Sequence, residues 1–181
     1  HWQRLEQFPP VEVLSLGADF DAQPRATSSS VAQRSTLNAQ LPSLLCLGII
    51  EPRKNQSFLL EVCAELWDEG VAFELQVVGR VNPHFGAPIV DRLKTLRRAH
   101  GTRLQFHEAA SDATVARLYA TARATVFPTI AEGCGLPLLE SLWRGVPCVC
   151  SDLPVLRENA DAGGCLPVAT NDRVAWKSAL R

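Results

Sequence analysis

The sequence contains no methionine, no CxxC pair and no apolar run approaching transmembrane length. Each absence excludes something. Without paired cysteines, and with only four histidines, the spacing of a zinc or iron–sulfur site is missing. Without a long apolar run, nothing reads as a membrane-spanning helix. His1-Trp2-Gln3-Arg4 opens the chain without the basic and apolar regions of a secretory signal. Positive charge is not in excess either. Lys and Arg number 18 against 19 Asp and Glu, so a dedicated nucleic-acid binder is not expected. No GxGxxG follows the first strand-like run, which argues against an NAD domain. No internal repeat is present. The absence of methionine is read as the mark of a fragment or a processed product.

What is present is ordinary globular material. The chain has 181 residues, 46% of them hydrophobic and 20% charged. A chain of this length buries roughly 70% of its unfolded surface, so a sizeable core is expected. The cysteines at 46, 63, 134, 148, 150 and 165 mostly sit in apolar runs such as Leu44-Leu45-Cys46-Leu47. They read as reduced, buried small hydrophobes, which favours a cytoplasmic setting.

Residues 1–43 read as an irregular linker from a preceding domain, punctuated by Pro9-Pro10, Pro24 and Ser28-Ser29-Ser30. One short edge strand is expected there, over Val11 to Leu16. From residue 44 onward a regular beat sets in. Strands are expected at Leu44–Ile50, Phe73–Val78, Arg103–His107, Ala124–Phe127, Val146–Cys150 and Cys165–Val168. Helices are expected over Gln56–Asp68, Ile89–His100, Cys134–Arg144 and Pro154–Asn159. Two more are expected, one capped at Ser111-Asp112 and one starting near Asn171. Strands alternating with helices predict a Rossmann-like α/β fold: a doubly wound, mostly parallel six-stranded sheet with helices on both faces. Ligands bind such sheets at the carboxyl ends of the strands.

Two of those carboxyl-end loops carry chemistry. Pro128 to Glu140 follows a strand and opens a helix. Gly133 and Gly135 let backbone approach a ligand, and a helix N-terminus suits a phosphate. Glu132 precedes that helix and Glu140 lies in its second turn. They would bracket an elongated ligand and accept hydrogen bonds from hydroxyls, as sugars provide. The plainer reading makes them a capping and a solvated glutamate. Glu51-Pro52-Arg53-Lys54-Asn55 follows the first core strand. Its adjacent cations can neutralise a departing diphosphate. The plainer reading is a charged surface turn.

These motifs, in this order, resemble the C-terminal, nucleotide-binding domain of the retaining GT-B-fold glycosyltransferases, family 4-like. The stretches are Gly48 to Asn55, Leu75 to Arg80, Ser111-Asp112 with Leu118-Tyr119, and Phe127 to Glu140. Gly145-Val146-Pro147, Ser151 to Pro154 and Leu156-Arg157-Glu158 complete the set. Residues 14–20 also look like the family's turn before this domain. The resemblance implies a metal-independent hexosyltransferase with no cofactor, using a UDP-, GDP- or ADP-sugar as donor. It implies a glycan or lipid-linked acceptor held by a preceding domain, and work in polysaccharide or cell-envelope synthesis, peripheral to the inner face of the membrane. By resemblance Glu132 contacts the donor sugar, and Gly133 with the backbone of Cys134, Gly135 and Leu136 meets sugar and diphosphate. Glu140 holds the ribose, Arg53 and Lys54 grip the diphosphate, and Arg80 and the loop His107–Ala110 lie beside the base. The chain departs from the pattern at Cys134, where Phe is common, at Glu108, where Gly is common, and at Ile49, where some members carry a cation. Cys134 at a helix N-terminus also has a reactive reading, but no partner His or second Cys is near it in sequence. Alone, the chain is expected to bind donor and transfer little sugar. Three alternatives stand beside this reading. They are a metal-dependent transferase using Asp19-Phe20-Asp21, a sugar-nucleotide epimerase of similar architecture, and a non-catalytic nucleotide-sugar-binding module.

Overall fold

A computed structural model describes residues 41–160 and 163–181. The expected edge strand at Val11–Leu16, the Asp19-Phe20-Asp21 tripeptide and the turn at 14–20 lie outside the described residues. Six strands form one sheet: β1 Ser43–Leu47, β2 Glu74–Val78, β3 Leu104–His107, β4 Ala122–Phe127, β5 Cys148–Ser151 and β6 Cys165–Val168. Their spatial order is β3-β2-β1-β4-β5-β6, and every pairing is parallel. Six α-helices connect or follow them: α1 Gln56–Asp68, α2 Ala87–His100, α3 Asp112–Thr121, α4 Leu136–Trp143, α5 Pro154–Ala160 and α6 Arg173–Ala179. This is the Rossmann-like, doubly wound α/β fold, and the sheet is wholly rather than mostly parallel.

Strand alternation decides which face each helix covers. Leu44, Cys46, Leu75, Val77, Val126 and Val149 pack with Leu59, Leu66, Leu93 and Trp176 of α1, α2 and α6. Leu45 and Val78 point the other way, toward Leu118 and Tyr119 of α3. Phe127, Cys148 and Cys150 meet Leu138 of α4 and Leu156 of α5. With both faces covered, the strands read as continuous apolar runs. Most polar interruptions are partnered; the buried Ser151 hydroxyl at the end of β5 is the exception among the described strand residues. Thr125 Oγ1 and Ser141 Oγ lie 2.6 Å apart, and Gln76 reaches His107. Four cysteines are buried as expected; Cys134 and Cys165 are half-buried, and all six are free thiols.

Differences from the expected bounds have local causes. The first strand ends at Leu47 rather than Ile50, because the backbones of Gly48 and Gly79 touch there. A Cβ on Gly79 would sit 1.9 Å from the Gly48 carbonyl oxygen. Ile50 keeps only an isolated bridge to Val81. The helix expected from Cys134 starts at Leu136, because Gly135 caps it at φ 78°, a left-handed conformation that favours glycine. The strand expected from Val146 starts at Cys148. Gly145 turns the chain at φ 66°, and the Val146 N–H bonds back to the Ser141 carbonyl at 2.9 Å.

An ionic seam joins α6 to α1. Arg173 reaches Glu61 at 2.7 Å and also Glu65; Lys177 reaches Glu65 at 3.0 Å and also Glu69, which Arg181 shares. The Arg173 and Lys177 hydrogen bonds lower the pKa of Glu65, and those of Lys177 and Arg181 lower that of Glu69. Depressed carboxylates stabilise the fold above the unfolded carboxylate pKa, and that stability is lost as pH falls through the folded value. The melting temperature is therefore expected to drop as pH falls through the carboxylate range. The drop should shrink in 1 M NaCl and in Glu65→Gln. A pH profile unchanged by either would contradict the seam's role. Gly79→Ala, which drives a Cβ into backbone, should cost at least about 2 kcal/mol in urea denaturation.

Candidate functional site

The winding reverses between β1 and β4, since β2 and β3 lie to one side and β5 and β6 to the other. A crevice opens at the carboxyl ends on either side of such a switch point. The loop after β1 and the loop after β4 line it. These are the two loops that carry Arg53-Lys54 and Glu132.

The loops are joined through charge. Lys54 Nζ lies 2.6 Å from Glu132 Oε2, with both side chains mostly buried. A Cβ on Gly48 would make only ordinary contact with the Lys54 stem, at 3.7 Å; what favours glycine there is the backbone, at φ 144°. Its ammonium also stands 5.0 Å from the centre of the Phe127 ring. Arg53 is more open. Its Nη1 donates to the Ala131 carbonyl at 2.9 Å and stands 3.5 Å from Glu132, and its Nη2 pairs with Glu51 at 2.8 Å. Glu51 in turn accepts from Asn82 Nδ2 at 3.1 Å. One chain of polar contacts thus crosses the loops after β2, β1 and β4.

Backbone contacts fix the same loops. The Ile130 N–H donates to the Arg53 carbonyl at 2.9 Å. The Thr129 hydroxyl, fully buried, lies within hydrogen-bond reach of the carbonyls of Arg53 and Ala131. Asn55, left-handed at φ 57°, donates its amide to the Pro128 carbonyl and to Asn171 beyond β6. Glu51, Asn82, Thr129 and Asn171 were not singled out from sequence as site residues. Their one sequence signal is that polar residues follow strand ends.

Beyond Glu132 the chain passes Gly133 and Cys134 and enters α4 at Leu136. Gly135 is buried against Leu156, whose Cδ2 would stand 2.4 Å from an added Cβ, so this turn is closely packed. The Cys134 carbonyl accepts from Asn159 at 3.2 Å. At the start of α4 Pro137 has no N–H, and the Leu138 N–H donates to the Gly135 carbonyl at 2.9 Å, which leaves the Leu136 N–H as the first-turn donor without an acceptor in the helix. Glu140 lies in the second turn, 3.3 Å from Arg144. Burial, and then the Glu140 carboxylate, raise the pKa of the neighbouring Tyr119 phenol.

Arg80 and His107 stand at the ends of β2 and β3. No side-chain hydrogen bond or ion pair among the described residues joins them to the Lys54–Glu132 cluster. Arg80 is exposed. His107 Nε2 lies 2.7 Å from Gln76 Oε1, whose own amide nitrogen donates to Glu74. Burial, with Arg117 and Arg97 nearby, holds the His107 pKa below its ordinary value. Facing the Gln76 amide oxygen, Nε2 is the donor of that contact. The structure thus brings Arg53, Lys54 and Glu132 together, runs Gly133 to Glu140 away from them, and sets Arg80 and His107 apart. Among the described residues no group of His, Cys, Asp or Glu could hold a metal ion, and no helix is long and apolar enough to cross a membrane.

Comparison with known proteins places this geometry. Residues 41–181 match the family described as glycosyl transferases group 1. The serotype-specific mannosyltransferase WbdA of Escherichia coli is 34% identical over 165 residues, covering 88% of this chain and 20% of that protein. A GDP-mannose-dependent alpha-(1-6)-phosphatidylinositol dimannoside mannosyltransferase of Mycobacterium tuberculosis is 32% identical over 154 residues, covering 83% of this chain and 38% of that protein. The chain thus spans about a fifth of the length of the WbdA relatives it matches. Among solved structures, sucrose-phosphate synthase from Thermosynechococcus elongatus superposes with a TM-score of 0.70 at 23% identity, over 92% of this chain and 41% of that one, a likeness of fold. On the match over residues 41–181, the chain belongs to the glycosyl transferases group 1 family.

Proposed function

We propose that this chain is the donor-binding domain of a retaining, metal-independent mannosyltransferase. It takes a nucleoside-diphosphate mannose and serves the growth of an O-antigen-type polysaccharide. The observation that carries this reading is the Lys54–Glu132 pair at the switch point, beside the glycine-flanked start of α4. The mannosyl specificity rests on the names of the relatives, one of which specifies GDP-mannose.

The chemistry follows from charge. As the glycosidic C–O bond lengthens, the sugar gains oxocarbenium character and negative charge gathers on the leaving phosphate. Lys54, Arg53 and the Leu136 N–H at the start of α4 would meet that charge. Glu132 keeps Lys54 paired, because a buried ammonium without a partner is costly. An arriving diphosphate takes over the ammonium and frees Glu132 for sugar hydroxyls. Gly133 and the backbone of Cys134, Gly135 and Leu136 lie between these groups. Glu140 accepts from the ribose, and Arg80 and His107 border the base. The site thus supplies through side chains the positive charge that a divalent ion would bring.

Calorimetric titration with UDP, GDP and ADP tests the reading. GDP is expected to bind best, and EDTA should not change its affinity. Lys54→Ala and Glu140→Ala should each weaken it roughly tenfold or more, the loss of a charge-assisted hydrogen bond at about 1.5–3 kcal/mol. Wild-type affinity in Lys54→Ala, with the fold intact by circular dichroism, would contradict the diphosphate assignment. A second test uses GDP-mannose: Glu132→Ala should weaken it more than it weakens GDP. Equal losses would contradict the sugar contact.

A further inference from the structure

Glu140 does not stand alone on its helix. Arg144, one turn on, places Nε and Nη2 each 3.3 Å from the same carboxylate oxygen, Oε1. Glutamate N-terminal to its cation is the favourable order at this spacing. An exposed pair of this kind would be worth little and would hold no fixed geometry. This pair is mostly buried, with side-chain exposures of 14% for Arg144 and 24% for Glu140. Its guanidinium also lies over the ring of Tyr119, 4.7 Å from the ring centre. Tyr119 belongs to α3 and is 1% exposed. The arginine that holds Glu140 is therefore itself held by a second element, and that element begins at the loop proposed to border the base. Arg144 makes further contacts besides these.

We propose that Arg144, seated on Tyr119, is a positioning residue that orients the Glu140 carboxylate for the ribose hydroxyls of the donor. The inference rests on the ribose role proposed above for Glu140. Both of these contacts fall on Oε1, and the ribose hydroxyl is proposed to donate to Oε2. A guanidinium that holds one carboxylate oxygen through two nitrogens restrains it from two directions, whereas an ammonium acts as a point charge. Tyr119 is buried beside Glu140, and its ring serves the guanidinium through its face.

The test separates orientation from stability by asking about the ribose hydroxyls alone. The tightest-binding of UDP, GDP and ADP and its 2′,3′-dideoxy counterpart are titrated into wild type, Glu140→Ala, Arg144→Met and Arg144→Lys. Wild type is expected to prefer the ribo form at least tenfold, and Glu140→Ala to abolish the preference. Arg144→Met should cut it to threefold or less while changing affinity for the dideoxy form less than twofold. Arg144→Lys should fall between. A merely structural role would weaken both ligands equally and leave the ratio unchanged, which would overturn the inference. If Arg144→Met fails to fold, Arg144→Lys decides: a wild-type ratio overturns the inference, and a reduced ratio with dideoxy affinity kept supports it. No preference in wild type, or a preference kept by Glu140→Ala, would instead overturn the ribose reading of Glu140 and the inference with it.

Discussion

The Lys54–Glu132 contact depends on the place where the sheet reverses its winding. Only there do the loops after two strands far apart in sequence open side by side at one end of adjacent strands. Lys54 follows β1 and Glu132 follows β4, 78 residues apart, yet their charged atoms lie 2.6 Å from one another. Much of the surrounding detail serves that meeting. Thr129 and the Ile130 N–H tie the β4 loop to the Arg53 carbonyl. Arg53, Glu51 and Asn82 carry the tie on to the loop after β2.

The two faces of the sheet divide their labour. The face under α1, α2 and α6 is apolar, and it is closed along the outer helices by the ionic seam at Glu61, Glu65 and Glu69. The face under α3 and α4 carries the polar side chains. Gln76, Thr125, Ser141, Tyr119, Glu140 and Arg144 all lie on it or against it, and most are held by a named partner. Buried polar groups cost stability unless they are satisfied. Their concentration on the side that flanks the proposed nucleotide path is what a site with fixed acceptors requires. Both faces hold apolar core, and this one holds the buried polar groups as well.

Periodicity made the fold legible. The bounds Gln56–Asp68 and Cys165–Val168 follow directly from residue patterning, and every expected strand from residue 44 onward is present. Bounds slipped where backbone conformation outranked hydrophobicity. The left-handed cap at Gly135 delayed α4, and the Gly48–Gly79 approach cut β1 short, although Ile49 and Ile50 continue its apolar run. Motif order pointed to Arg53, Lys54 and Glu132, which the structure brings together, but not to their contacts with one another. A lysine and a glutamate 78 positions apart carry no local sign that they meet. Glu140 and Arg144 are spaced four apart, a relation that sequence can show. Tyr119 reads there only as part of an apolar helix face, because its contact with Arg144 exists only after α3 and α4 pack on the same side of the sheet.

On the proposed reading, the donor's phosphates take the place that Glu132 holds at Lys54. A crystal structure of the chain with GDP is the decisive test. The diphosphate is expected within hydrogen-bond distance of Lys54 Nζ and of the Leu136 N–H, with Glu132 turned away from the lysine. A bound nucleotide whose phosphates lie elsewhere, with the Lys54–Glu132 pair intact, would contradict it.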